Sequence, residues 1–122
     1  MNNGYSFATG SDDYSCLLFD TRSRSQVARY AAPRSSGSAG LSINGGVYGL
    51  DFSKSGRVLF AAYEDGKAVA WETISKERVY HKIEHEKREG ETDKKRMSGV
   101  GVSPDGRSVC TASWDTTLQV WA

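Results

Sequence analysis

Apolar and polar positions along this chain alternate with a period of two over short runs, and turn signals separate those runs. At the end of the chain Leu118 and Val120 should face one way and Gln119 and Trp121 the other. Strands are also expected over Val58 to Tyr63 and Ser108 to Ser113, each halting just before an aspartate turn, and over Gln26 to Tyr30 and Arg78 to Ile83. In Cys16-Leu17-Leu18-Phe19 both sets of alternating positions are apolar, so this strand is expected to be covered on both faces. Phe52-Ser53-Lys54-Ser55-Gly56 and Val102-Ser103-Pro104-Asp105-Gly106 each place a tight-turn signal between alternating runs. No stretch sustains a helical period, and the pattern predicts an all-β chain.

The same pattern recurs. Gly49-Leu50-Asp51-Phe52-Ser53-Lys54-Ser55-Gly56-Arg57 aligns with Gly99-Val100-Gly101-Val102-Ser103-Pro104-Asp105-Gly106-Arg107 at an offset of 50 residues. Without a slip, Tyr63-Glu64-Asp65 falls on Ser113-Trp114-Asp115, and Trp71 falls on Trp121. A partial earlier copy, offset by 52, matches Ser11-Asp12-Asp13 to Tyr63-Glu64-Asp65 and puts Phe19 where the others have Trp. In every copy the aromatic residue follows the aspartate by six places. A period in this range marks a repeat architecture whose units cannot bury their apolar faces alone.

Composition narrows the function classes. A formal net charge of +1 over 122 residues argues against a dedicated nucleic-acid binder, which carries a strong basic excess. In the run from Glu86 to Arg96 the opposite charges nearly cancel, which reads as a solvated loop. No apolar run approaches the roughly 18 residues of a membrane span. Cys16 and Cys110, in a chain whose start lacks the pattern of an export signal, do not suggest a disulfide framework; both are expected to be small, buried and reduced. HExxH, CxxC, P-loop and nucleophile-elbow strings do not occur, so no enzyme, cofactor or metal site is expected. His81 and His85 stand four apart, but on a predicted strand and loop that spacing does not converge on a metal.

The turns Ser11-Asp12-Asp13 and Ser113-Trp114-Asp115, each followed by its aromatic residue, resemble the WD40 repeat family. The resemblance implies a β-propeller fragment, about two and a half four-stranded antiparallel blades of a seven-bladed ring. A partial blade is expected over 1–31, a complete one over 46–83 and a final one without its fourth strand over 97–122. Flexible loops are expected at 32–45 and 86–96. The family's buried network of turn aspartate, hydroxyl, Trp and upstream His maps best onto His85, Ser113, Asp115 and Trp121. The other copies offer Ser11, Asp13 and Phe19, then Tyr63, Asp65 and Trp71. In the family the last blade is commonly completed by a strand from the start of the chain; its absence here makes the sequence read as part of a longer protein.

A narrower resemblance is to the C-terminal portion of heterotrimeric G-protein β subunits. It is carried by Phe7-Ala8-Thr9-Gly10-Ser11-Asp12-Asp13, Cys16-Leu17-Leu18-Phe19-Asp20 with Arg22, Phe52 to Arg57, Ala62 to Asp65, and Arg96 through Trp121. It departs in the serine- and glycine-rich segment from Ala32 to Gly46 and in the long insertion between His85 and Arg96. The implied function is non-catalytic: binding of a G-protein α subunit and effectors, with a γ subunit as a constant partner, in receptor signalling. The implied location is cytoplasmic, peripheral to the plasma membrane through a lipidated partner, with no insertion of this chain. The alternative is a WD40 adaptor of another multiprotein complex. The repeat places Asp12, Glu64 and Trp114 at one position in three blades, hence on one rim. The resemblance implies that Asp12, Arg96 and Trp114 lie on the face that binds the α subunit and effectors; with Glu64 these are the expected protein-binding residues, while Asp13, Asp65 and Asp115 are expected to form the turns.

Overall fold

The computed structural model describes residues 4–31, 45–76, 78–84 and 96–122. His85 and nearly all of the two expected loops lie outside them; only Gly45 and Arg96, at the loop ends, are described.

Ten strands form three antiparallel sheets. The first sheet holds β1 (Ser6–Gly10), β2 (Ser15–Asp20) and β3 (Ser25–Ala31) in chain order. The middle sheet is β4 (Val47–Phe52), β5 (Val58–Tyr63), β6 (Lys67–Glu72) and β7 (Arg78–Glu84), again as a meander. The last sheet is β8 (Met97–Val102), β9 (Val109–Ser113) and β10 (Leu118–Trp121). Among the described residues there is no helix. The expected all-β architecture of successive blades is present.

Register follows the repeat. Phe7 pairs with Phe19, Leu59 with Trp71 and Val109 with Trp121, so one cross-strand position carries the signature aromatic in every sheet. Bulges recur as well: the ladder skips a residue between Val47 and Gly49 and again between Met97 and Gly99. Each leading strand therefore bends at the same height.

Alternation divides the middle sheet into two apolar faces. Leu59, Ala61, Tyr63, Val69 and Trp71 join Cys16, Ala28 and Tyr30 of the first sheet in one core. Ala62, Ala68 and Ile83 join Met97, with Val100, Val109 and Trp121 of the last sheet packed around them. Polar ties accompany this packing. The Tyr30 hydroxyl donates to the Thr73 carbonyl at 2.9 Å, and the Val102 amide donates to Asp51 Oδ2 at 2.7 Å. Both groups would otherwise lose their water partners between the sheets. The middle and last sheets approach closest along β4 and β8, where a Cβ on Gly49 would sit 2.8 Å from the Gly99 Cα.

Cys16 is fully buried in the first core, where desolvation pushes its thiol up to about 11 despite the Tyr63 hydroxyl beside it. Cys110 departs from its expected burial. It is only half-buried, because β9 turns it to the face of the last sheet opposite Val109, away from the middle sheet.

Candidate functional site

The hairpins between β1 and β2, β5 and β6, and β9 and β10 share one local geometry. The Tyr14 amide donates to the Ser11 carbonyl at 3.2 Å, and the Gly66 amide to the Tyr63 carbonyl at 3.1 Å. Tyr14, Gly66 and Thr116, at equivalent positions, have φ of 71°, 85° and 69°. A tight turn closed by a left-handed residue is a three-residue hairpin loop with a bulge.

The aspartates act inside these loops. Asp13 Oδ1 accepts the Ser15 amide at 2.9 Å and its hydroxyl at 2.6 Å. Asp65 Oδ1 accepts the Lys67 amide at 3.2 Å, and Asp115 Oδ1 accepts the Thr117 amide at 3.0 Å. The Ser15 hydroxyl and amide hold the Asp13 carboxyl below its ordinary value. Ser11 and Ser113 each accept the amide of the aspartate two residues on, at 3.3 and 3.4 Å, whereas Tyr63 has no such short hydroxyl to offer.

Trp121 sends its indole N–H to a residue that the motif does not name. Nε1 donates to Thr111 Oγ1 at 3.0 Å, and Thr111 is fully buried on β9. The signal was present: Thr111 is the hydroxyl residue between Val109 and Ser113 on the Trp-facing alternation of that strand. Ala61 occupies the equivalent place under Trp71, so the middle sheet lacks that hydroxyl. In the first sheet Phe19 has no donor and stacks on Phe7 at 5.2 Å.

The residue before each turn aspartate is carried on the outside of its loop. Trp114 is 67% exposed. The Arg96 guanidinium lies 5.6 Å from the centre of the Trp114 ring and 3.4 Å from Glu64 Oε1. The backbone fixes this arrangement, because the Trp114 amide donates to the Arg96 carbonyl at 2.8 Å. One repeat earlier the Glu64 amide donates to the Gly46 carbonyl at 3.0 Å. Gly46 in turn lies against Asp12: a Cβ there would stand 2.5 Å from Asp12 Oδ1. Gly45, at φ 104°, would place a Cβ 2.4 Å from that of Glu64, so this approach requires glycine twice. Asp12, Gly46, Glu64, Arg96 and Trp114 thus follow one another along a single rim. Asp12 makes no ion pair among the described residues.

An exposed ion pair contributes about 0–1 kcal/mol and an exposed cation–π contact about 0.5–1 kcal/mol. This cluster therefore adds little to folding. It presents a large amphipathic ring on the surface, flanked by charges of both signs.

The family model described as "WD domain, G-beta repeat" matches residues 39–72 and 87–122. Guanine nucleotide-binding protein subunit beta-2 of Caenorhabditis elegans is 42% identical over 120 residues, covering 98% of this chain and 28% of the relative. Subunit beta-5b of Danio rerio is 41% identical over 120 residues, covering 98% of this chain and 26% of the relative. The Solanum tuberosum beta subunit is 39% identical over 122 residues, covering 98% of this chain and 29% of the relative. The chain spans less than a third of the length of these relatives.

Proposed function

Since the chain belongs to the WD40 repeat family, we propose that it serves as a non-catalytic protein-binding surface of a G-protein β-subunit-like signalling protein. Its partners on this reading are a G-protein α subunit and the effectors that replace it, with a γ subunit held elsewhere on the whole protein. The resemblance to proteins named as guanine nucleotide-binding β subunits supports the partner class. Attachment to the plasma membrane then comes through a lipidated partner.

The observation that carries the reading is the set Glu64–Arg96–Trp114, an exposed indole resting against a guanidinium that is itself paired with a carboxylate. Trp and Arg are among the side chains richest in interface hot spots. Asp12 extends the surface with an acidic group.

Binding to a GDP-loaded α subunit, followed by surface plasmon resonance, tests this. Trp114→Ala should weaken binding by about 2 kcal/mol or more, roughly 30-fold. The same substitution should shift stability by no more than about 0.5 kcal/mol, as expected of an exposed side chain. If Trp114→Ala left α-subunit and effector affinities intact, the rim would not be the binding surface. If wild-type chain ignored the α subunit while another complex depended on Trp114, the adaptor alternative would take its place.

A further inference from the structure

Ser25 is the only serine or threonine in the chain with an arginine three places before it, and Arg24 precedes it directly. Arg22-Ser23-Arg24-Ser25 makes the hairpin tip between β2 and β3, at the opposite end of β2 from the Asp12 loop. Residues 21–26 are exposed without interruption. The sheet order puts β3 at the edge, paired with β2 alone among the described residues. Its first residue can therefore be drawn toward a second protein without breaking a ladder on its far side.

Polar side chains hold this tip together. Ser23 Oγ lies 2.8 Å from Ser25 Oγ and donates to the Asp20 carbonyl at 3.3 Å. The Arg22 amide donates to Asp20 Oδ1 at 2.8 Å, and Nη2 of its guanidinium donates to Oδ2 at 2.9 Å. The same guanidinium stands 4.7 Å from the centre of the Tyr5 ring. Arg24, at φ 51°, carries the left-handed backbone of the turn and makes no ion pair among the described residues. One arginine is thus committed to a carboxylate and the other is not. Enzymes that phosphorylate serine commonly grip an arginine at the third place before the acceptor through carboxylates of their own groove, by charge-assisted hydrogen bonds.

We propose that Ser25 is a phosphorylation site for an arginine-directed serine kinase, and that its phosphate draws the Arg22 guanidinium away from Asp20. The Ser25 hydroxyl oxygen attacks the γ-phosphorus of a nucleoside triphosphate. A new O–P bond forms, the bond from that phosphorus to the bridging oxygen breaks, the nucleoside diphosphate leaves, and the hydroxyl proton passes to a carboxylate of the kinase. The product carries a charge of about −1.5 to −2 and three strong acceptor oxygens. Asp20 and Ser25 are cross-strand partners, so the new anion stands opposite the carboxylate, and like charges in that position repel. The larger charge wins the guanidinium. The inference is independent of the α-subunit reading, because this turn shares no residue with the rim of Asp12, Glu64, Arg96 and Trp114.

The native chain, incubated with magnesium ATP and calcium/calmodulin-dependent protein kinase, which reads arginine at that place, should gain one phosphoryl group by intact mass, located on Ser25 by fragmentation. Ser25→Ala should gain none. Arg22→Ala should be modified at least roughly tenfold more slowly, the loss expected for one charged hydrogen bond to the enzyme. Ser23→Ala keeps both arginines and should be modified at the wild-type rate. In the phosphorylated chain the Asp20 carboxyl, held down at about 2 by Arg22, should titrate higher, toward the ordinary value near 4, as read from carboxyl chemical shifts. A native chain left unmodified would overturn the proposal, and a peptide of residues 18–31 that is modified would then place the block in the fold. Phosphate on another hydroxyl with Ser25 untouched would overturn it as well. Phosphorylated Ser25 with the Asp20 carboxyl still at about 2 would overturn the transfer of Arg22.

Discussion

Tyr14, Gly66 and Thr116 share one turn position with φ between 69° and 85°, yet a left-handed backbone suits only the glycine. A β-branched residue there is under steric strain, worth about 1–3 kcal/mol. Thr116→Gly should therefore stabilise the chain by about 1 kcal/mol, and Gly66→Thr should destabilise it by a similar amount, both read as shifts in the urea midpoint. The two thiols provide a second check. Cys16, buried and with its thiol raised to about 11, should resist alkylation in the native state, while half-buried Cys110 reacts first. Mass spectrometry of the labelled peptides reads the order. A third check is acid titration. The Arg22 side chain and amide hold the Asp20 carboxyl down at about 2. Because the folded value is depressed, the pair's contribution is present above the ordinary carboxylate value near 4 and is lost as pH falls toward 2. Carboxyl chemical shifts across that window report it. At this scale the aspartates were legible because a turn constrains its own sequence. Thr111 was missed because its partner Trp121 is ten residues away and is brought to it by pairing.

The glycines of the leading strands separate elements that look alike in sequence. Gly49 and Gly99 are repeat equivalents, but only Gly49 faces backbone, 2.8 Å from Gly99 Cα, while a Cβ on Gly99 meets nothing within 4 Å. Gly49→Ala should cost about 1–3 kcal/mol by forcing β4 away from β8, and Gly99→Ala should cost much less. Thermal melts of the two variants decide this. The strands themselves were readable, because Leu118 to Val120 alternate with a period that a sheet imposes and Val58 to Tyr63 is a short apolar run that halts at a turn. The paired bulges beside Tyr48 and Ser98 had a signal in Gly49 and Gly99, glycines inside strands, that the sequence reading did not use. Trp121→Ala belongs to this scale too. It removes the Thr111 bond and part of the core between the last two sheets, so its cost should lie toward the low end of about 3–5 kcal/mol for a half-buried ring. Trp114→Ala removes neither, and the contrast between the two melts separates packing from surface.

Across the whole molecule, the repeat announced stacked sheets before any strand was placed, because three equivalent copies need neighbours to cover them. The repeat also put Asp12, Glu64 and Trp114 on one rim; what it could not announce was Arg96 bridging two of them. Arg96 reaches Glu64 of one sheet and Trp114 of the next, and their convergence depends on how far adjacent sheets are rotated. That rotation comes from the narrow approach of β4 to β8, where backbone meets backbone without an intervening side chain. Stacked sheets pinched along one edge behave as the staves of a barrel: the bevel of each stave fixes how many complete the circle. A single methyl group at Gly49 would press on the backbone of Gly99 and flatten that bevel, turning Glu64 away from the Arg96 and Trp114 it now meets.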